Sequence, residues 1–136
     1  IRLFMTKPTK TTSPTRSRDK VLQTLYELEL GGEELNEVLK NHSSEKSNKF
    51  YKEILKGVSE NLEGFDETIQ AYVDRPIQQL DVIEKNILRI SLYELKKQEL
   101  DSSIIINEAI RMAKKYGSIE GYKLVNAVLD KIIKAS

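Results

Sequence analysis

The chain reads as an all-α protein, and three observations carry that reading. Apolar residues recur at helical spacing in seven separate stretches. No run alternates apolar and polar residues between hairpin turns. One stretch, residues 77–97, is apolar around most of its circumference, the mark of a helix surrounded by others. No 20–50-residue repeat is present, which excludes a solenoid. The 136 residues suit one domain. A domain of that size buries roughly two-thirds of its unfolded surface, enough for a core without staples.

Ser13-Pro14 predicts the start of the first helix, with serine as N-cap and proline at the first helical position. From there to Leu30, the residues Val21, Leu22, Leu25 and Leu28 fall within about 120° on a helical wheel. Arg16, Lys20, Gln23 and Glu27 gather opposite, Tyr26 sits at the border, and Gly31-Gly32 ends the helix. A short second helix is predicted over residues 33–40. Residues 41–48 form a polar loop, in which His42 reads as a solvated residue. The third helix spans residues 47–62, with Tyr51, Ile54, Leu55, Val58 and Leu62 on one face and Gly64 as its stop. Phe65, Ile69, Tyr72 and Val73 mark a short fourth helix, broken at Asp74-Arg75-Pro76 because the residue before proline avoids the helical region.

The fifth helix, residues 77–97, is the central one. Only a narrow stripe through Lys85, Arg89 and Lys96 is consistently polar. Glu84, Ser91 and Glu94 fall inside the apolar arc, where each reaches the end of a groove or meets a partner. Asp101-Ser102-Ser103 offers N-caps for a sixth helix ending at Lys115, with Ile106, Ala109, Ile110 and Ala113 as its core face. Tyr116-Gly117 closes it. The seventh, residues 120–133, buries Leu124, Val125, Val128, Leu129 and Ile132.

Composition narrows the function. The chain has no cysteine, which removes disulfides and thiolate metal sites, and its single histidine leaves few nucleophile–base pairs. No carboxylate spacing implies metal or acid–base work, and no glycine loop cradles phosphate. No catalytic residue, metal site or cofactor is therefore assigned. No run approaches the ~20 apolar residues that span a bilayer, and the absence of cysteine fits a cytoplasmic protein. Met5 reads as the natural start, with residues 1–4 outside the functional argument.

The net charge of +1 hides an asymmetry. Residues 1–20 carry six basic residues and one acid; residues 21–136 carry 16 basic and 20 acidic residues. The division expected is a disordered basic arm over residues 1–15 and a helical domain over 16–136, with an anionic partner for the basic end. Arg16, Arg18 and Lys20 stand at the start of the first helix, whose N-terminus adds its own positive end. Gln23 lies further along the face of Arg16 and Lys20 and can hydrogen-bond a base edge; Tyr26 offers a stacking surface for single-stranded RNA. The same pattern also fits a solvated charged face with Tyr26 at the edge of the core. A second basic cluster, Arg111, Lys114, Lys115 and Lys123 with Tyr116 and Tyr122 interleaved, either flanks an RNA path or offsets the negative end of a helix.

Three motifs in fixed order sharpen this: Ile87-Leu88-Arg89-Ile90-Ser91-Leu92-Tyr93-Glu94-Leu95, Ile106-Asn107-Glu108-Ala109-Ile110, and Lys123-Leu124-Val125-Asn126-Ala127-Val128-Leu129-Asp130-Lys131. With Gln23-Thr24-Leu25-Tyr26 they resemble the NusB family over roughly residues 16–134. The resemblance implies two roughly perpendicular helical bundles. It also implies a transcription antitermination factor that binds boxA RNA as a heterodimer with NusE, a small-subunit ribosomal protein. Such a factor acts within the RNA polymerase antitermination complex, chiefly on ribosomal RNA operons. By position, Arg16, Arg18, Gln23 and Tyr26 match the family's N-terminal RNA-binding element; Tyr116, Glu120 and Leu124 match its second RNA-proximal region; Glu84 matches a NusE-contacting glutamate, with Tyr26 also on the partner side. The chain departs from the family at several points. Its arginine run is reduced to Arg16 and Arg18, Ile77-Gln78 replace a common tryptophan, Leu124 a frequent phenylalanine and Ala127 a frequent glycine. The alternatives are a protein-interaction module and an accessory RNA-binding domain of an RNA-modifying enzyme. Monomer and homodimer are both compatible with the sequence.

Overall fold

A computed structural model describes residues 13–136. Among them are seven α-helices and no strand: α1 (Pro14–Gly31), α2 (Leu35–Asn41), α3 (Lys49–Glu60), α4 (Leu62–Tyr72), α5 (Val82–Lys97), α6 (Ser102–Tyr116) and α7 (Gly121–Ala135). Short 3-10 turns at Ser43–Glu45 and Ile77–Gln79 precede α3 and α5. α1, α2 and α3 form one group, α4, α6 and α7 another, and α5 packs against both.

The ends of α1 follow the sequence. The Ser13 hydroxyl accepts the Arg16 N–H at 3.2 Å, Pro14 takes the first turn, and Gly32 closes the helix at φ +63°, a left-handed conformation that favours glycine. The helix takes in Pro14 and Thr15, which the sequence reading assigned to the arm; Lys7, Lys10 and the rest of that arm lie outside the described residues.

Other boundaries move. Gly64 does not stop α3; it lies inside α4. The break falls at Asn61, whose side-chain amide donates to the Gly57 carbonyl at 2.7 Å and whose carbonyl oxygen accepts from Lys96 Nζ at 2.9 Å. An asparagine that bonds the preceding turn competes with helix continuation, whereas Gly64 faces open space and needs no special backbone angle. Leu62 is exposed as a result. The fifth helix starts at Val82 rather than residue 77, because the Asp81 carboxylate accepts the Ile83 and Glu84 N–H groups and caps it there. In α6 the inward face is Ile105, Ala109, Met112, Ala113 and Tyr116, one position round from the expected Ile106–Ile110 stripe. That rotation lets Glu108 and Arg111 reach α1. Leu28 and Leu124 are half-buried.

The core runs through α5. Ile83, Ile87, Leu88 and Ile90 are sealed from solvent together with Leu22, Ile54, Ile69 and Leu129. Its polar residues are buried as well. Lys85 and Arg89, from the one consistently polar stripe of the helix, are each 8% accessible. Both pair with Glu29 of α1, and Arg89 also makes a two-pronged contact with Asp66 of α4 at 2.8 Å on each arm. At the other end of α5, Arg18 of α1 donates from Nε and Nη2 to the two Glu94 oxygens at 2.6 and 2.7 Å, and from Nη1 to Glu108 of α6 at 3.1 Å. Its guanidinium lies over the Phe50 ring of α3. Burial opposes charge on Arg18, but the two carboxylates outweigh it and hold its pKa above the ordinary arginine value. Among the described residues no buried side-chain polar atom lacks a partner.

Two predictions follow from this packing. Arg18→Ala leaves Glu94 buried without its cation and is expected to cost about 3–5 kcal/mol of stability, read as a lower midpoint in urea unfolding followed by circular dichroism. At Gly57 an added methyl would strike the Tyr93 ring. Gly57→Ala should therefore destabilise by about 1–3 kcal/mol, and Tyr93→Ala in the same chain should cancel part of the effect in a double-mutant cycle.

Candidate nucleic-acid interface

Asp19, the only acid among the first twenty residues, organises the surface where α1 meets α6. Its carboxylate accepts from Arg111 Nη2 at 2.8 Å and from the Tyr116 hydroxyl at 3.0 Å, and Lys115 Nζ lies 3.4 Å away. Arg111 also reaches Glu108 and the Thr15 carbonyl. The N-terminus of α1 and the C-terminus of α6 are thereby fastened side by side, so the two basic clusters of the sequence form one region.

Within it the expected RNA residues separate into two kinds. Arg16, Lys20 and Gln23 are partly exposed on the open face of α1, and Arg16 and Lys20 have no side-chain ion pair among the described residues. Tyr26 is half-buried against the core. Beyond α6, Lys114 lies over the Tyr122 ring with Nζ 4.8 Å from its centroid, Glu120 pairs with Lys123 at 3.0 Å on the surface, and Leu124 packs half-buried.

Arg18 and Tyr116 are corrections. Arg18 is 3% accessible and spent on Glu94 and Glu108, so it is not a phosphate ligand. Tyr116 is 6% accessible with its hydroxyl on Asp19, so its ring is no stacking platform. Glu84, expected to meet a partner protein, is 5% accessible; its Oε2 accepts from the Ser118 N–H at 3.0 Å and the Ser118 hydroxyl at 2.9 Å. It anchors the α6–α7 turn, and a side chain at Gly121 would collide with it. His42 is also not solvated: it is 6% accessible, with Nε2 2.8 Å from Glu27 Oε2, which ties the end of α2 to α1. Asp19 was not singled out in the sequence, although an isolated acid in a basic segment is itself a signal that it is used internally.

No group of three or more His, Asp or Glu side chains able to hold a metal occurs among the described residues, and no described helix is long and apolar enough to cross a membrane.

A family model described as the NusB family matches residues 15–134. The chain belongs to the NusB family. It is 35% identical over 129 residues to the transcription antitermination protein NusB of Colwellia psychrerythraea, across 90% of this chain and 94% of that one. It is 33% identical over 125 residues to the protein of the same name from Pseudoalteromonas translucida, across 88% and 92%. Among solved structures, T. maritima NusB superposes with a TM-score of 0.82 at 31% identity, covering 93% of each chain. A crystal structure of the antitermination factors NusB and NusE in complex with dsRNA superposes with a TM-score of 0.80 at 26% identity, covering 90% of this chain and 96% of that one. The two-group arrangement around α5 is thus the NusB fold.

Tyrosine ionisation reports on this region. Burial and then the Asp19 carboxylate push the Tyr116 phenol well above its ordinary value. Its proton is retained in the folded protein after the unfolded chain has lost it, so its contribution to stability is complete below about pH 10 and lost as pH rises beyond. Alkaline unfolding should therefore be shallower in Tyr116→Phe, and ultraviolet titration of that variant should lack one of the last of the six tyrosines to ionise.

Proposed function

We propose that this NusB-family protein is a non-enzymatic transcription antitermination factor that loads boxA RNA together with NusE, chiefly in ribosomal RNA operons. The observation that carries the reading is the α1–α6 surface: Arg16 and Lys20, without an ion pair among the described residues, stand at a positive helix N-terminus, beside Lys114 and Lys115, on the fold of a NusB seen with NusE and dsRNA. Arg16 and Lys20 supply phosphate contacts, Gln23 a base-edge hydrogen bond, and the half-buried Tyr26 a contact between the RNA and the protein partner. Glu120 and Leu124 border the path at the start of α7. Arg18, Tyr116 and Glu84 act through the fold, by holding α1, α6 and the α6–α7 turn where the contacting residues need them.

The test is fluorescence anisotropy of labelled boxA RNA and a scrambled control, with and without NusE, at two salt concentrations. Tighter and sequence-selective binding with NusE supports the proposal; equal binding of both RNAs that NusE does not improve overturns it. Arg16→Ala should weaken binding several-fold and flatten the log–log salt dependence by about one unit, with unchanged circular dichroism. Arg18→Ala should lose RNA affinity only in step with its loss of folded protein.

A further inference from the structure

A groove of about 810 Å³ lies between α2 and α3, apart from the α1–α6 surface. Leu35, Leu39, Tyr51 and Leu55 give it an apolar lining, and Leu35 is 43% exposed. Lys40, Lys46, Lys52 and Lys56, all exposed, stand around it against two carboxylates, Glu45 and Glu60. Glu45 is already used, accepting from Asn48 at 2.9 Å and Ser44 at 3.3 Å. Lys40 meets Glu37 at 3.3 Å in an exposed pair of little worth. Lys46, Lys52 and Lys56 have no ion pair among the described residues. An apolar trough is thus ringed by four exposed lysines, three of them without an ion pair among the described residues.

We infer that this groove docks an acidic amphipathic helix of a partner protein. The volume lies in the range of about 300–1,000 Å³ of sites that take compact apolar ligand surface. A helix offers the matching shape, with apolar side chains at i, i+3 or i+4, and i+7 filling the trough. Carboxylates flanking that stripe would meet the lysines, which adds specificity and speeds encounter. Nucleic acid fits less well. Tyr51 is 2% accessible with its hydroxyl on Thr24, so no ring face is available for a base, and phosphates would leave the leucines uncovered. A second copy presenting the same groove would set lysines against lysines.

The probe is a synthetic 15-residue helix with leucines at that spacing flanked by glutamates. Two control peptides accompany it: one with lysine for each glutamate, one with the leucines scattered. Binding to the full chain is read by amide NMR shifts and by anisotropy of labelled peptide. The acidic helix should shift signals of residues 35–60 only. Its affinity should fall about tenfold in the Lys52→Glu/Lys56→Glu variant, and that variant should bind boxA RNA as the parent does. No shift in α2 and α3 at millimolar peptide, or equal binding of either control, overturns the inference. So does displacement by a short RNA, loss of RNA affinity in the variant, or a groove that fills on raising the concentration of the protein alone.

Discussion

The buried pair between Arg18 and Glu94 sets the terms for the rest of the molecule. A helix contacted on every side, as α5 is, has no solvated flank on which to leave a charge. Each ionised group it carries must find an opposite charge on another helix, because an ion removed from water without a partner is prohibitively unfavourable. Glu94 is met from α1, and the same arginine goes on to Glu108 of α6 and the Phe50 ring of α3. Lys85 and Arg89 are met by Glu29 of α1 and Asp66 of α4. Greasy packing tolerates small slips of one helix past another; a forked guanidinium on a carboxylate does not. The ion pairs therefore act as registration marks at both ends of α5.

The same arrangement explains why two arginines in one helical turn have different duties. Arg16 and Arg18 lie about 200° apart around α1. One is partly exposed with no ion pair among the described residues, and the other points into the junction of three helices. The candidate binding surface is what remains once internal pairing has taken its share of the charges. Asp19 belongs to that internal share, since it turns Arg111 and Tyr116 inward while leaving Arg16, Lys20 and Lys114 at the surface.

Much of the fold was legible in the sequence because helical spacing and caps are local. Ser13-Pro14, Gly32 and the unusual apolar arc of α5 each announce themselves within a few residues. The burial of Arg18, Lys85, Arg89 and His42 was not legible. A helical wheel assigns charge to the outside, and the partners that reverse this lie up to 90 residues away for Arg18 and 60 for Arg89. The α3–α4 break was misplaced for a related reason: glycine is the usual punctuation, but here an asparagine side chain makes the bond that ends the helix. Both basic clusters were legible as charge patterns, and family resemblance added expected roles for single residues. The resemblance could not distinguish exposed residues such as Arg16 and Lys20 from Tyr116 and Glu84, which are buried and hold the surrounding helices in place.

The bonds that secure α1 join the start of the chain to its last third: Asp19 to Tyr116 spans 97 residues. At a ribosomal pace of about 5–20 residues per second, roughly 5–20 s separate the synthesis of these two ends. Until α5 has been made, the helix bearing Arg16 and Lys20 has none of its α5 or α6 anchors, and the last of them, Tyr116, comes only at the end of α6. The order of synthesis thus makes α1 the first helix of the domain to be made and among the last to be locked down.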